Sequence, residues 1–166
     1  MTPAPVDLDE FDREALLALN NDHAVALSFV TAERFAELAK RAVYLRGFAP
    51  ALGFLMAFDQ DAGVSGPNYA WFKARYPRFV YIDRVVIATE GRRQGLAQAL
   101  YTDLLAKAAA TGHTAVGCEI NSDPPNPASD AFHAKLGFET VGTARLADRD
   151  KTVRYLVRTL PPSDLP

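Results

Sequence analysis

One stretch of the sequence constrains the fold more than any other. Residues 79–89 are the chain's longest run rich in β-branched and aromatic residues, which predicts a central strand. A short polar turn follows. From Gly95 to Ala110 the period changes. Leu96, Leu100 and Leu104 stack at i, i+4 and i+8, with Ala97, Tyr101 and Leu105 beside them, as an amphipathic helix requires. Gly112 stands where such a helix stops, and residues 114–121 read as a second buried strand. This strand–helix–strand crossover, flanked by hairpins, predicts a mixed α/β sheet with helices on both faces.

The flanks fill in the rest. Residues 16–19 read as a short first strand and residues 20–23 as a turn. Residues 31–42 predict a helix capped by Thr31, with Phe35, Leu38, Ala39 and Ala42 on one face. Residues 43–48 and 52–58 predict a hairpin around Ala49-Pro50-Ala51. Residues 59–76 read as a long polar-aromatic loop. Asn126 predicts an N-cap with Pro127 at the first helical position, in a helix that ends at Leu136-Gly137. Residues 138–143 and 152–160 close the chain as strands.

With 166 residues, the chain fits one domain over 1–166, with 1–10 and 161–166 expected to fray. The net charge of −2 and the lack of a Lys/Arg run argue against a nucleic-acid surface. A single cysteine, Cys118, forms no intrachain disulfide and suits a reducing cytoplasm. The N-terminus has no signal-like pattern, and no segment has the roughly 20 apolar residues of a membrane span.

The chemistry gathers at the junction of strand 79–89 and helix 95–110. Helix-start amides lack intrahelical partners, and the helix dipole adds partial positive charge. A diphosphate satisfies both. Gly95 and Ala97 permit close approach, and Arg92 and Arg93 can add charge-assisted contacts. Neither GxxxxGK[ST] nor GxGxxG is present, which sets aside the Walker and dinucleotide loops.

Arg92-x-x-Gly95-x-Ala97 resembles the R/Q-x-x-G-x-G/A signature of the GNAT N-acetyltransferases. Residues 126–138, from Asn126-Pro127 to Leu136-Gly137-Phe138, resemble the same family's second CoA-contacting helix. Together the two motifs and their surroundings cover about residues 79–160. The resemblance implies a V-shaped splay between two central parallel strands, with acetyl-CoA lying in it. Backbone of Val85, Val86 and Ile87 would pair with the pantetheine arm. Arg92, Arg93, Gln94, Gly95, Leu96, Ala97 and Gln98 would hold the pyrophosphate. Asn121, Asn126, Ser129, Phe132, His133 and Lys135 would complete the cofactor side. The implied reaction is direct attack of an amine on the acetyl thioester, with no metal.

Two carboxylates are candidate bases. Asp83 falls in the first strand, where Tyr81, Asp83 and Val85 alternate onto one face. Glu119 falls in the second, with Asn121 on its face. A salt bridge to Arg84 or Arg154 would explain either without catalysis. The Val86 amide is a candidate oxyanion donor. The family often has a tyrosine where this chain has His133, so an imidazolium acid is the expectation there. Cys118, in an apolar strand, is expected to pack rather than react. Acceptor candidates are Asn21, Asn68, Trp71 and Tyr81, with Asn20, Ser28, Ser65 and Tyr69 nearby. This polar, lightly charged set suggests a small-molecule amine. A homodimer is common in the family. The alternative on the same fold is a non-catalytic acyl-CoA sensor.

Overall fold

A computed structural model describes residues 2–8, 13–23 and 29–161. Its elements are β1 (Val6–Asp7), α1 (Arg13–Asp22), α2 (Ala32–Arg41), β2 (Tyr44–Phe48), β3 (Gly53–Asp59), α3 (Pro67–Lys73), β4 (Phe79–Ile87), α4 (Leu96–Ala110), β5 (Ala115–Asp123), α5 (Pro127–Lys135), β6 (Glu139–Leu146) and β7 (Lys151–Thr159). The strands form one seven-stranded sheet in the order β1-β2-β3-β4-β5-β7-β6. The crossover through α4 makes β4 and β5 parallel, and every other neighbouring pair is antiparallel. Each face of the sheet has its own core. Leu16, Phe35, Leu38 and Phe72 pack with Phe54 and Tyr81 on one face. Leu100, Leu104 and Phe132 pack with Val80, Val116 and Leu156 on the other.

The caps form as the sequence predicts. Thr31 Oγ1 accepts from the Arg34 amide at 3.1 Å, and Asn126 Oδ1 accepts from the Ser129 amide at 3.2 Å. Three expectations change. Residues 16–19, and residues 20–22 of the expected turn, belong to helix α1, with Leu16 and Leu19 buried one turn apart; so short an apolar run does not reveal its period. The loop at 59–76 contains α3, which Pro67 opens and which buries Tyr69 and Phe72 at i and i+3. Val6 and Asp7 pair with Gly47 and Arg46 instead of fraying. The expected fraying of residues 162–166 and the acceptor candidate Ser28 lie outside the described residues. Among the described residues, no helix is long and apolar enough to cross a membrane.

Two irregularities in β4 shape the site. Met56 pairs with Arg84 and Ala57 with Ile82, so Asp83 is an extra residue in the ladder. Such a bulge resets which side chains share a face. Tyr81 and Val86 therefore join one core, while Ile82, Val85 and Ile87 contact the other. The expected alternation of Tyr81, Asp83 and Val85 onto one face does not occur. The second irregularity is the splay. β4 and β5 pair only from Phe79↔Ala115 to Tyr81↔Gly117. Beyond that, β4 stays with β3 to Ile87 and β5 stays with β7 to Asp123.

Candidate active site

The splay opens into a cavity of about 790 Å³ that reaches both faces of the sheet. Tyr81, Asp83, Val85, Glu119 and Asn121 form its walls. Tyr101, Asn126, Ser129 and His133 line it on the α4–α5 side, and Arg34, Asn68 and Tyr69 on the other.

The turn before α4 lies at the end of β4. A 3-10 turn at Thr89–Gly91 leads into it, with Gly91 buried beneath Leu52 so closely that a Cβ would lie 2.9 Å from its carbonyl oxygen. Arg93 (φ 65°) and Gly95 (φ 74°) are both left-handed. That conformation is costly for arginine and easy for glycine. Side chains cap α2 and α5, but among the described residues none caps α4. The α4 start therefore presents amides suited to an anion. Arg92, Arg93, Gln94, Gly95 and Gln98 are exposed here, and Ala97 is half-buried. Leu96 is 2% exposed, with its side chain in the core, so only its backbone can serve a ligand.

The neighbouring stretch of β4 is sorted by its ladder. The Ala88 amide donates to Leu52 O at 2.8 Å, directly across from it. In an antiparallel ladder hydrogen-bonded pairs alternate with open ones. Val86, opposite Phe54, is thus bonded to β3, while Val85 and Ile87 turn their amides toward the splay. This corrects the expectation for Val86, both as a backbone partner of a pantetheine arm and as an oxyanion donor. Val85 and Ile87 keep the capacity.

The two carboxylates differ. Asp83 accepts from Arg84 Nε at 2.8 Å, and Arg84 also donates to Asn20 Oδ1 at 3.0 Å. The salt-bridge explanation therefore applies to Asp83. Arg154 instead pairs with Asp130. Glu119 Oε2 accepts from the Tyr81 hydroxyl at 2.7 Å, across the mouth of the splay. Desolvation by burial pushes the Glu119 carboxyl up to about 8; Asp83 adds to the rise, and the Tyr81 hydrogen bond and Arg149 oppose it. A carboxylate so tuned is poised to take a proton near neutral pH.

His133 is buried in the wall. Its Nδ1 lies 2.8 Å from Ser129 O. A carbonyl only accepts, so Nδ1 carries the proton, and Nε2 of the neutral ring accepts from the Tyr101 hydroxyl at 2.9 Å. Burial lowers the imidazole pKa, which also favours the neutral ring. The expected imidazolium acid gives way to a pair whose proton facing Nε2 belongs to Tyr101. A double-mutant cycle of Tyr101→Phe and His133→Phe in urea denaturation should give a coupling of about 1–2 kcal/mol, because each single change orphans a buried polar atom.

Other expected residues divide cleanly. Asn68 lines the cavity and accepts from the Tyr155 hydroxyl at 2.8 Å. Asn21 is instead a brace: it accepts from the Val30 amide at 3.1 Å and donates to the Val30 carbonyl at 3.0 Å. Trp71 is outside the cavity lining. It stacks on Tyr155 at 4.3 Å and carries Arg75 on its ring at 4.1 Å. Phe132 packs edge-on against Tyr101 rather than facing the cavity, and Lys135 is exposed beyond it. Cys118 lines the cavity, but burial and then Glu119 push its thiol pKa well up, which suits packing rather than attack. Tyr101, Arg34, Arg149 and Lys151 line the cavity without having been singled out from the sequence. Tyr101 was legible only as part of a helix face, and no local pattern in the sequence marks the three cations.

The Acetyltransferase (GNAT) family model matches residues 12–138. The chain belongs to the GNAT acetyltransferase family. The fold of this GNAT chain is shared with solved structures of low sequence identity. A ribosomal-protein-alanine N-acetyltransferase from Brucella melitensis is 22% identical, with a TM-score of 0.72 over 95% of this chain and 100% of its own. A putative acetyltransferase from Acinetobacter baylyi is 21% identical, with a TM-score of 0.73 over 100% of this chain and 97% of its own. A putative acetyltransferase from Salmonella typhimurium, solved with its cofactor acetyl-CoA, is 20% identical, with a TM-score of 0.72 over 98% of this chain and 96% of its own. No curated protein matches the GNAT chain by sequence.

Proposed function

We propose that this chain transfers an acetyl group from acetyl-CoA to a primary amine of a small polar molecule, with Glu119 as the base. The observation that carries the reading is the Tyr81–Glu119 pair, held in the mouth of a splay whose edge leads to the uncapped start of α4. The residues fit the cosubstrate. Amides at 93–97 and the Arg92 and Arg93 side chains suit its diphosphate. The amides of Val85 and Ile87 suit its extended arm, as an added strand would. Bound acetyl-CoA supplies the activated acyl thioester.

The chain's own residues handle the protons. Glu119 takes one from the ammonium of the acceptor, directly or through a water, and the free amine then attacks. The Tyr81 hydroxyl holds the carboxylate and helps keep its proton affinity in range. The amides on the open edge of β4 stabilise negative charge as it develops on the carbonyl oxygen. The Tyr101 hydroxyl turns its proton from His133 Nε2 to the leaving thiolate and regains one from solvent. Positioning of the two reactants supplies much of the remaining acceleration.

The test is release of free thiol from acetyl-CoA across a panel of small amines. Turnover of at least one amine, with mass-spectrometric detection of its acetylated form, is the expected result. If the panel is silent while acetyl-CoA binds, the enzyme reading fails for those amines and the sensor alternative gains. Tyr101→Phe should lower kcat by about tenfold or more with little change in the acetyl-CoA KM.

A further inference from the structure

The charge of the cavity runs opposite to that of the chain. The whole sequence has a net charge of −2, yet four cationic residues line the cavity against two carboxylates. Arg84 is matched by Asp83 at 2.8 Å. Arg34, Arg149 and Lys151 are different. Among the described residues, no carboxylate lies within ion-pair distance of Arg34 or Lys151. Among the described residues Arg149 has only Asp148, 4.0 Å away, and Asp148 does not line the cavity. Arg34 comes from the first turn of α2, while Arg149 and Lys151 come from the β6–β7 connection and the start of β7. Elements far apart in the chain thus bring three cations to one opening.

The charge of Arg149 reaches Glu119 and opposes the rise in its pKa, so the cation and the carboxylate share one chamber. Glu119 itself, pushed up to about 8, provides little negative charge at neutral pH to balance the three. Arg34 and Arg149 are exposed and Lys151 is half-buried, so the surplus faces solvent at the opening and attracts anions there, less strongly as salt rises.

We propose that the amine acceptor is a small molecule bearing an anionic group, a carboxylate or phosphate, which Arg34, Arg149 and Lys151 hold while its amine reaches Glu119. This rests on the acetyltransferase reading above and narrows its substrate class. The same surplus disfavours a basic peptide, whose side chains would enter against like charge.

The test uses the full chain and matched amines: an amino acid against its carboxamide, and phosphoethanolamine against ethanolamine. Thiol release should show about a tenfold or greater kcat/KM preference for at least one anionic member, expressed mainly in KM and weakening with salt. Lys151→Met and Arg34→Met should each raise that member's KM about tenfold and raise its neutral partner's far less. Equal use of both members overturns the proposal, and so does an equal loss for both in the variants. Greater use of a peptide with an acidic N-terminal segment than of any small amine overturns the small-molecule assignment. Calorimetric binding of an N-acetyl amino acid and its amide, with CoA present, separates the two claims. An anion preference lost in Lys151→Met, without turnover of any amine, supports the anion site and sinks only the acetyltransferase reading. Turnover without preference does the reverse.

Discussion

Glu119→Gln should lower kcat by about 10²- to 10⁴-fold and leave acetyl-CoA affinity within about twofold. The amide keeps the size of the side chain and can still meet the Tyr81 hydroxyl, but it cannot take a proton. The pH profile gives the sharper signature. A base must be ionised to act, and burial pushes this carboxyl up to about 8. Parent kcat should rise with pH and level off above about 8, while the variant should lack that limb. Tyr81→Phe should move the limb to higher pH, because its hydroxyl opposes the rise. A limb that stays in place in Glu119→Gln would transfer the role to another group, with Asp83 the first to examine.

The same carboxyl links pH to stability. Its folded pKa lies above its unfolded value, so the folded state favours the proton. That contribution is fully present below the ordinary glutamate range and is lost as pH rises through about 8. Between pH 5 and pH 9 the parent should lose about 2–3 kcal/mol that Glu119→Gln retains, a value reduced for the carboxylate's partial contact with solvent. Urea denaturation at the two pH values measures it.

The second large effect belongs to the turn before α4. Arg92→Glu combined with Gly95→Val should weaken acetyl-CoA binding by about 100-fold or more. Valine at φ 74° is strained by its branched Cβ, so the turn must rearrange and its amides lose their aim. The charge reversal adds repulsion toward the diphosphate. Because the valine also strains the fold, Arg92→Glu alone provides the control. Its side chain is exposed, so the thermal midpoint should hold while affinity falls about tenfold. Calorimetry with CoA reads both variants. Unchanged affinity in the pair would show that the diphosphate is held elsewhere.

The sequence made the centre of the fold legible because two periods meet there. A run rich in β-branched residues through β4 gives way to a four-residue repeat in α4, and Thr31 and Asn126 marked helix starts by local hydrogen bonding. Where an element is short, local pattern carries less. Four apolar residues at 16–19 do not distinguish strand from helix, and the seven residues of α3 are masked by the glycines and prolines around them. The bulge at Asp83 depends on how many residues β3 places opposite, a quantity that β4 alone does not encode. The site was legible where its chemistry is local, at 92–97 and 126–133. Arg34 and Lys151, 117 positions apart in the chain, look like ordinary surface cations until the fold places them at one opening. The Tyr101–His133 pair was hidden for the same reason, since α4 and α5 come together only through β5.

The extra residue at Asp83 has one more consequence. Tyr81, Asp83 and Arg84 sit at or before the point where the ladder resumes its regular pairing, and the open-edge amides of Val85 and Ile87 lie after it. One strand thus contains two segments with independent phase. A change of side chain in the first segment can alter which acceptor fits without shifting the amides of the second. Deleting the extra residue would merge the phases, and retuning one partner's site would then mistune the other's.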